Sequence, residues 1–216
     1  MIDWDGVLDA MAREVESAPV PSVNQIEAHR SDPWDVLVST IISLRTRDPV
    51  TLTSSRRLLE AAPDPGAMLN LDEARIAELI YPAGMYRTKA ANLLRTADIL
   101  VREYGGSVPS NARELMALPG VGLKTANLVL GAGFGIPAIC VDIHVHRIAN
   151  RRGWVRTSSA DATEAELRRI LPRRWWIPVN RILVSYGQRV CTPISPRCSI
   201  CPVAADCPAA GVDKRR

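Results

Sequence analysis

The sequence predicts an all-α protein. Apolar residues recur at helical spacing in most segments, proline, glycine and serine separate those segments, and the alternation typical of half-buried strands is nearly absent. With 216 residues the chain is long enough for one large domain or two small ones. Its hydrophobic fraction of 47% argues against global disorder. No apolar run approaches the roughly 20 residues of a membrane span.

Several of the predicted helices have a start or a stop signal. The first, 35–43, follows Ser31-Asp32-Pro33, and the second ends at the Pro63–Gly66 turn. Gly105-Gly106 ends the longest helix, and Ser110 or Asn111 opens the next. After 35–43, helices are predicted over 51–62, 72–80, 88–104, 110–118, 122–130, 145–151, 162–171 and 177–188, with a loop over 131–137.

Charge is distributed unevenly along the chain. Residues 1–140 contain 13 Lys/Arg and 17 Asp/Glu, whereas residues 141–216 contain 14 Lys/Arg and 6 Asp/Glu. A basic C-terminal part favours a polyanionic partner such as nucleic acid, although a solvated basic face would look the same. The acidic N-terminus lacks the layout of a signal peptide, so we expect a soluble cytoplasmic protein.

The segment 118–124 joins two predicted helices through a turn that contains Gly120 and Gly122. Glycines allow a positive φ and a close approach of the main chain, and N–H groups at a helix start can bind a phosphate. The pattern fits a helix–hairpin–helix element that grips a DNA backbone, or an ordinary turn. Lys124 follows in the first turn of the second helix, where it could act as an amine nucleophile or contact phosphate.

Four of the five cysteines are close together near the C-terminus, as Cys191-x6-Cys198-x2-Cys201-x5-Cys207. Without a secretory signal, such a cluster indicates metal ligation rather than disulfides. Four thiolates can hold Zn²⁺ or a [4Fe–4S] cluster, and the spacing is that of neither zinc ribbons nor bacterial ferredoxins. Cys140 stands apart, and we expect it to be a small buried residue.

Three motifs together resemble a known family. Leu118-Pro-Gly-Val-Gly-Leu-Lys-Thr-Ala-Asn127, followed by Val141-Asp-Ile-His-Val-His-Arg-Ile-Ala-Asn150, is similar to the signature of the endonuclease III family of helix–hairpin–helix DNA glycosylases. The cysteine spacing looks like the iron–sulfur loop of that family and of the adenine glycosylases. The resemblance extends from about residue 25 to residue 208.

The resemblance implies a fold and a reaction centre. The fold would be a six-helix barrel domain over 25–136, which contains the hairpin, and a second domain from 1–24 and 137–216, which holds a [4Fe–4S] cluster. Lys124 would be the Schiff-base nucleophile and Asp142 the catalytic carboxylate. The cluster ligands would be Cys191, Cys198, Cys201 and Cys207.

The resemblance also implies DNA contacts. His144 would lie near the DNA backbone, and two residues would enter the duplex when a base is flipped out. Bacterial members place a Gln and a Leu at those two positions, where this chain has Arg45 and Met85. A further departure is Ile143, where the family commonly has Thr. The hairpin glycines Gly120 and Gly122 would grip the backbone as argued above from their turn, and Arg197, in the cysteine loop, could contact phosphate or simply be exposed to solvent.

The implied function is that of a bifunctional DNA glycosylase and abasic-site lyase. It would remove oxidised pyrimidines from double-stranded DNA and cleave the abasic site by β-elimination, as a monomer. The alternatives are a monofunctional mismatch thymine or uracil glycosylase, and a non-catalytic DNA-binding protein, zinc-dependent or not. An adenine-mismatch glycosylase is disfavoured, because that type lacks the lysine that this chain has at position 124.

Overall fold

The computed structural model describes residues 2–16, 21, 23, 25 and 32–216, and every regular element with described bounds is helical. The predicted all-α class is therefore confirmed. In chain order the helices are α1 (Trp4–Glu14), α2 (Pro33–Ser43), α3 (Asp48–Ala61), α4 (Pro65–Met68), α5 (Glu73–Ile80), α6 (Tyr86–Tyr104), α7 (Ala112–Ala117), α8 (Leu123–Leu128), α9 (Ile143–Arg151), α10 (Ala160–Ile170) and α11 (Pro178–Arg189). A π-helical turn (Val129–Gly133) continues α8, and 3₁₀ turns occur at Arg173–Trp175 and Cys198–Ile200.

The chain divides into two compact units. One is the continuous segment 22–136, which contains α2 to α8, and the other combines 1–21 with 137–216. The functional domains predicted over 25–136, and over 1–24 with 137–216, remain a prediction. None of the described helices is both long and apolar enough to cross a membrane.

Helix α2 is the core helix of the unit 22–136. All residues from Trp34 to Ile42 are buried, which identifies α2 as surrounded by protein rather than packed on one face. It begins at Asp32, whose Oδ1 accepts from the Trp34 backbone N at 2.8 Å. Ser31, the first residue of the predicted start signal, lies outside the described residues.

Both predicted start signals lie at helix N-termini, with Asp32 at α2 and Asn111 at α7, and Asp72, predicted as the first residue of a helix, is an N-cap. Asp72 caps α5 by accepting from the Arg75 N at 2.7 Å, and Asn111 caps α7 by accepting from the Glu114 N at 3.0 Å. The one-turn helix α4 was not predicted, because Pro65-Gly66 was interpreted only as part of the turn that ends the preceding helix. Asp64 caps this turn by accepting from the Ala67 N at 2.7 Å.

The predicted loop over 131–137 was wrong in its first part. Residues 131–133 belong to the π-helical turn, in which Gly131 and Ala132 are buried. A Cβ on Gly133 would lie 3.0 Å from the Pro33 Cα at the start of α2. The glycines therefore serve close packing between two helical segments, not a flexible connection.

The unit formed by 1–21 and 137–216 is built around α11, whose residues 182–187 are all buried. Helix α1, which was not predicted from the sequence, packs on α11 and buries Trp4, Leu8 and Met11. The Trp4 and Trp154 rings lie 5.0 Å apart between centroids. The two terminal parts of the chain thus share one hydrophobic core.

Shortening Leu8 tests this shared core. We expect Leu8→Ala to lower the free energy of unfolding by about 2–5 kcal/mol, because the side chain is fully buried and its loss leaves a cavity. Urea unfolding followed by circular dichroism measures the change. The control is Leu69→Ala, which removes the same atoms from a partly exposed side chain and should change stability by less than about 1 kcal/mol. Equal losses in both variants would contradict the packing of α1.

Candidate functional site

Helices α7 and α8 form the predicted hairpin. The turn closes with a bond from the Val121 N to the Leu118 O at 3.2 Å. Gly120 has a φ of +78°, a conformation that favours glycine, and a Cβ there would also lie 2.8 Å from Asn92 Nδ2, so the Asn92 side chain would have to move. Gly122 is the N-cap of α8 and is exposed, and no side chain caps this helix start. Backbone N–H groups at an uncapped start can donate to an external acceptor.

Lys124 is the second residue of α8 and is half-buried. The chain has two other lysines. Lys214 is exposed in the C-terminal tail. Lys89 is buried, and its Nζ donates to the Ile42 O at 2.7 Å, to the Leu44 O at 2.5 Å and to Thr46 Oγ1 at 2.8 Å.

A lowered pKa would on its own favour Lys89 as an amine nucleophile. Burial lowers the pKa of Lys89 to about 8. The geometry argues the opposite, because three acceptors occupy all three donors of the ammonium and only 5% of the residue is exposed. A nucleophile must reach its substrate, and the Lys89 amine is enclosed by these acceptors. Lys124 is the better placed amine.

Asp142 is the N-cap of α9. Its Oδ1 accepts from the His144 N at 2.9 Å and from the Val145 N at 2.9 Å. Both capping bonds go to Oδ1, so they fix the orientation of the carboxylate while Oδ2 takes no part in the cap. Lys124 and Asp142 belong to different compact units, and their pairing remains a prediction. Ile143, which stands where the family commonly has Thr, directly follows Asp142 and is 73% exposed.

The two histidines of α9 have different partners. His144 Nδ1 lies 3.1 Å from Nη2 of Arg147, and a Cβ on Gly187 would lie 2.6 Å from the same nitrogen. His146 Nδ1 lies 2.7 Å from Thr163 Oγ1. The two rings are therefore not placed to share a metal ion. The DNA contact of His144 remains a prediction.

Arg45 and Met85 lie in neighbouring loops of the same unit. Both are exposed and have a left-handed backbone, with φ values of 53° and 56°. Gly84 joins the loops, since its N donates to Thr46 Oγ1 at 3.0 Å and a Cβ there would lie 2.3 Å from the Arg45 O. The structure thus places two residues side by side that are 40 positions apart in the sequence. Their entry into DNA remains a prediction.

Cys191, Cys198, Cys201 and Cys207 line one pocket of the other unit, and all five cysteines are unbridged. Apolar side chains such as Met11, Ile148 and Val203 form part of the walls, and four arginines also line the pocket, namely Arg151, Arg152, Arg197 and Arg215. Cys140 is buried elsewhere, as predicted.

Two polar groups approach the cysteine sulfurs. The Tyr186 hydroxyl lies 2.9 Å from Cys201 Sγ, and Arg151 Nη1 donates to Cys191 Sγ at 3.5 Å. Among the described residues no three His, Cys, Asp or Glu side chains converge as ligands of a single ion. A [4Fe–4S] cluster presents a separate iron atom to each thiolate, so the four-thiol set fits it without such convergence.

Arginines of α9 hold the cysteine loop in place, and they were not predicted from the sequence. Arg147 Nη2 donates to the Cys191 O at 2.8 Å, and Arg151 donates to the Thr192 O and the Pro193 O, both at 2.6 Å. Arg152, which follows α9, donates to the Val203 O. No sequence signal identifies such arginines, because their acceptors are backbone carbonyls 40 or more residues away.

Arg197 is exposed next to Cys198 and borders the cysteine pocket, and its backbone N donates to the Val190 O at 2.9 Å. The hydrogen bond fixes the main chain and leaves the guanidinium out of the loop's backbone bonding. The phosphate contact of Arg197 remains a prediction.

Two protein-family descriptions match this chain, one over the segment that contains the hairpin and one over the cysteine segment. Residues 38–173 match the family described as HhH-GPD superfamily base excision DNA repair protein, and residues 191–207 match the iron–sulfur binding domain of endonuclease III. Endonuclease III of Thermotoga maritima is 45% identical over 82% of this chain and 83% of its own length. Endonuclease III homolog 2, chloroplastic, of Arabidopsis thaliana is 38% identical over 96% of this chain, which spans 58% of that relative.

A solved structure of a trapped endonuclease III–DNA covalent intermediate, an estranged-adenine complex, superposes with a TM-score of 0.83 at 32% identity. The match covers 96% of each chain.

Replacing single cysteines tests the ligand set. We expect Cys201→Ser to lose the iron, the acid-labile sulfide and the visible absorption of the purified protein, because one thiolate of four is removed. Cys140→Ala is the matched control and should keep full iron and sulfide, since Cys140 is buried outside the pocket. Retention of the full iron content in Cys201→Ser, or zinc in place of iron in the wild type, would contradict the assignment.

Proposed function

Because the chain belongs to the HhH-GPD superfamily of base excision DNA repair proteins, and within it to the endonuclease III family, we propose that it removes oxidised pyrimidines from duplex DNA and cleaves the resulting abasic site. The chain is a DNA glycosylase with abasic-site lyase activity, which is the activity of this family, and it carries a [4Fe–4S] cluster. The proposal concerns its substrate and the residues that act on it.

The observation that carries the proposal is the place of Lys124. Of the three lysines, Lys89 is bound by three oxygens and Lys214 lies in the tail, whereas Lys124 lies on the hairpin helix that would meet the DNA backbone. An amine there can attack the sugar of a nucleotide flipped out of the duplex.

The proposed reaction uses Lys124 and Asp142. Cleavage of the N-glycosidic bond builds positive charge on the sugar, which the Asp142 carboxylate stabilises while the electron pair leaves with the base. The deprotonated Lys124 amine forms a bond to C1′, and the ring opens to an imine. The imine acidifies the C2′ hydrogen, so its removal expels the 3′ phosphate by β-elimination, and hydrolysis of the imine regenerates the lysine.

DNA binding is proposed to rest on the backbone more than on base sequence. The turn at Gly120 and the uncapped N–H groups after Gly122 would hold a phosphate, and His144 and Arg197 would contact others. Arg45 and Met85 would fill the space of the flipped nucleotide, with the Met85 side chain as an apolar wedge.

Cys191, Cys198, Cys201 and Cys207 would bind the cluster, which supplies cross-links within the loop that borders Arg197. We place it in a structural role, since Lys124 and Asp142 lie outside the pocket that the cysteines line. Both proposed catalytic groups and all four ligands are carried by one chain, which supports action as a monomer.

Borohydride trapping tests the lysine. We expect the wild type to form a covalent adduct with duplex DNA that contains an oxidised pyrimidine, and with duplex DNA that contains an abasic site. Lys124→Ala should form neither adduct, because the imine needs the amine. Lys214→Ala is the control and should trap as the wild type does, since it removes an exposed lysine from the tail.

An adduct that persists in Lys124→Ala would overturn the assignment of the nucleophile. Base release by the wild type without any adduct would instead indicate a monofunctional glycosylase. Excision of mismatched thymine or uracil in preference to oxidised pyrimidines would show that the proposed substrate class is wrong.

Replacing the carboxylate while keeping the helix cap tests Asp142. Asparagine caps a helix about as well as aspartate, so Asp142→Asn should preserve folding but slow base release by about 10²–10³-fold through lost charge stabilisation. Asp72→Asn makes the same change at the N-cap of α5 and should leave the rate unchanged. Single-turnover excision and thermal unfolding measure both effects. A rate within twofold of wild type in Asp142→Asn would refute the role.

A further inference from the structure

Lys89 is a buried cation that the proposed reaction does not use. Its three donors are all occupied, by the Ile42 O, the Leu44 O and Thr46 Oγ1. These acceptors belong to one stretch of chain, the end of α2 and the residues on both sides of Arg45. The last carbonyls of a helix have no intrahelical donor and carry partial negative charge, so an ammonium there satisfies and stabilises them.

The lysine also lies close to the second loop. Lys89 is in the first turn of α6, where its backbone N donates to the Met85 O at 3.0 Å, a regular helical hydrogen bond that any residue except proline would make. The side chain that binds both neighbours of Arg45 is therefore anchored one helical turn from Met85. Thr46 closes the arrangement, because its hydroxyl also accepts from the Gly84 N at 3.0 Å.

Both loop tips need such a constraint. Arg45 and Met85 each have a positive φ, a conformation that residues other than glycine rarely adopt. Strained backbone of this kind persists only when its surroundings fix it, and it concentrates where a side chain must be presented in one orientation. Two of the oxygens bound by the Lys89 ammonium, the Leu44 O and Thr46 Oγ1, lie directly before and after Arg45, and Thr46 Oγ1 also binds the Gly84 N next to Met85.

We propose that Lys89 is the positioning residue that holds the Arg45 and Met85 loops together as one unit for entry into the DNA duplex. Its hydrogen bonds fix the spacing of the two tips before DNA arrives, so that both side chains enter the space left by a single flipped nucleotide. This inference rests on the proposed function, since it assigns Lys89 to the base-flipping step of that reaction.

The experiment separates entry into the duplex from amine chemistry. A single-stranded abasic oligonucleotide presents its sugar without a partner strand, so imine formation on it does not need the loops. We compare borohydride trapping on single-stranded and duplex abasic DNA for the wild type, Lys89→Met and Met85→Ala. Lys89→Met keeps an unbranched side chain of similar length and removes all three donors.

We expect Lys89→Met and Met85→Ala to trap the single-stranded substrate at the wild-type rate and the duplex at least about tenfold more slowly, because small misplacements of positioning groups have effects of this size. A duplex with 2-aminopurine opposite the lesion provides a second measurement. Its fluorescence should rise when the wild type enters and unstacks the partner base, and the rise should be lost in Lys89→Met. Arg102→Met, which removes an exposed cation from the same helix, should behave as the wild type.

Wild-type trapping and fluorescence in Lys89→Met would overturn the proposal. So would an equal loss on both substrates, which would mean that Lys89 supports the whole unit rather than the loops. If Lys89→Met does not fold, Thr46→Val decides, since it removes only the shared hydroxyl and must show the same selective loss on the duplex. A wild type that traps neither substrate would refute the proposed function itself, a result distinct from all of these.

Discussion

The cysteine segment depends on donors that it does not contain. Its irregular backbone leaves carbonyl groups without helical partners, and those that the arginines bind are partly buried, where a donor from the protein stabilises them. Helix α9 supplies the donors through Arg147 and Arg151, and Arg152 follows it. Because Asp142 caps the same helix, the proposed catalytic carboxylate and the cluster loop are fixed to one rigid element. Displacement of the loop would therefore disturb the helix that orients the carboxylate.

The parts of the fold that were predictable have local causes. Asp32, Asp72 and Asn111 mark helix starts, because the side-chain oxygen of each accepts a hydrogen bond from a backbone N–H two or three residues later. The meaning of Gly133 was not readable, since it depends on Pro33, 100 positions earlier in the chain. Helix α1 was missed although Asp3 accepts from the Gly6 N in the same way, because its apolar face is short and its first turn belongs to the acidic terminus.

The residues of the candidate site also differ in whether local sequence could predict them. Lys124, Asp142 and the four cysteines stand in contiguous motifs, so the amino-acid sequence by itself is enough to propose them as site residues. Lys89 and Arg151 could not be named in this way, because they donate to backbone carbonyls more than 40 residues away. Every residue has a backbone carbonyl, so the identity of the acceptor residue gives no signal. Supporting residues of this kind need only a long cationic side chain at the right place, and many arginines in this chain meet that description.

The division of one unit between the two ends of the chain also orders its biosynthesis. The segment 22–136 is continuous and can fold as soon as it leaves the ribosome, whereas α1 must wait for α11 to complete its core. At ribosomal rates that delay is on the order of ten seconds or more. Cys207, the last of the four cysteines, is synthesised later still, so the full set of proposed cluster ligands becomes available only after α11 has been made. The proposed cluster site is therefore completed no earlier than the chain segments that form the core shared by α1 and α11.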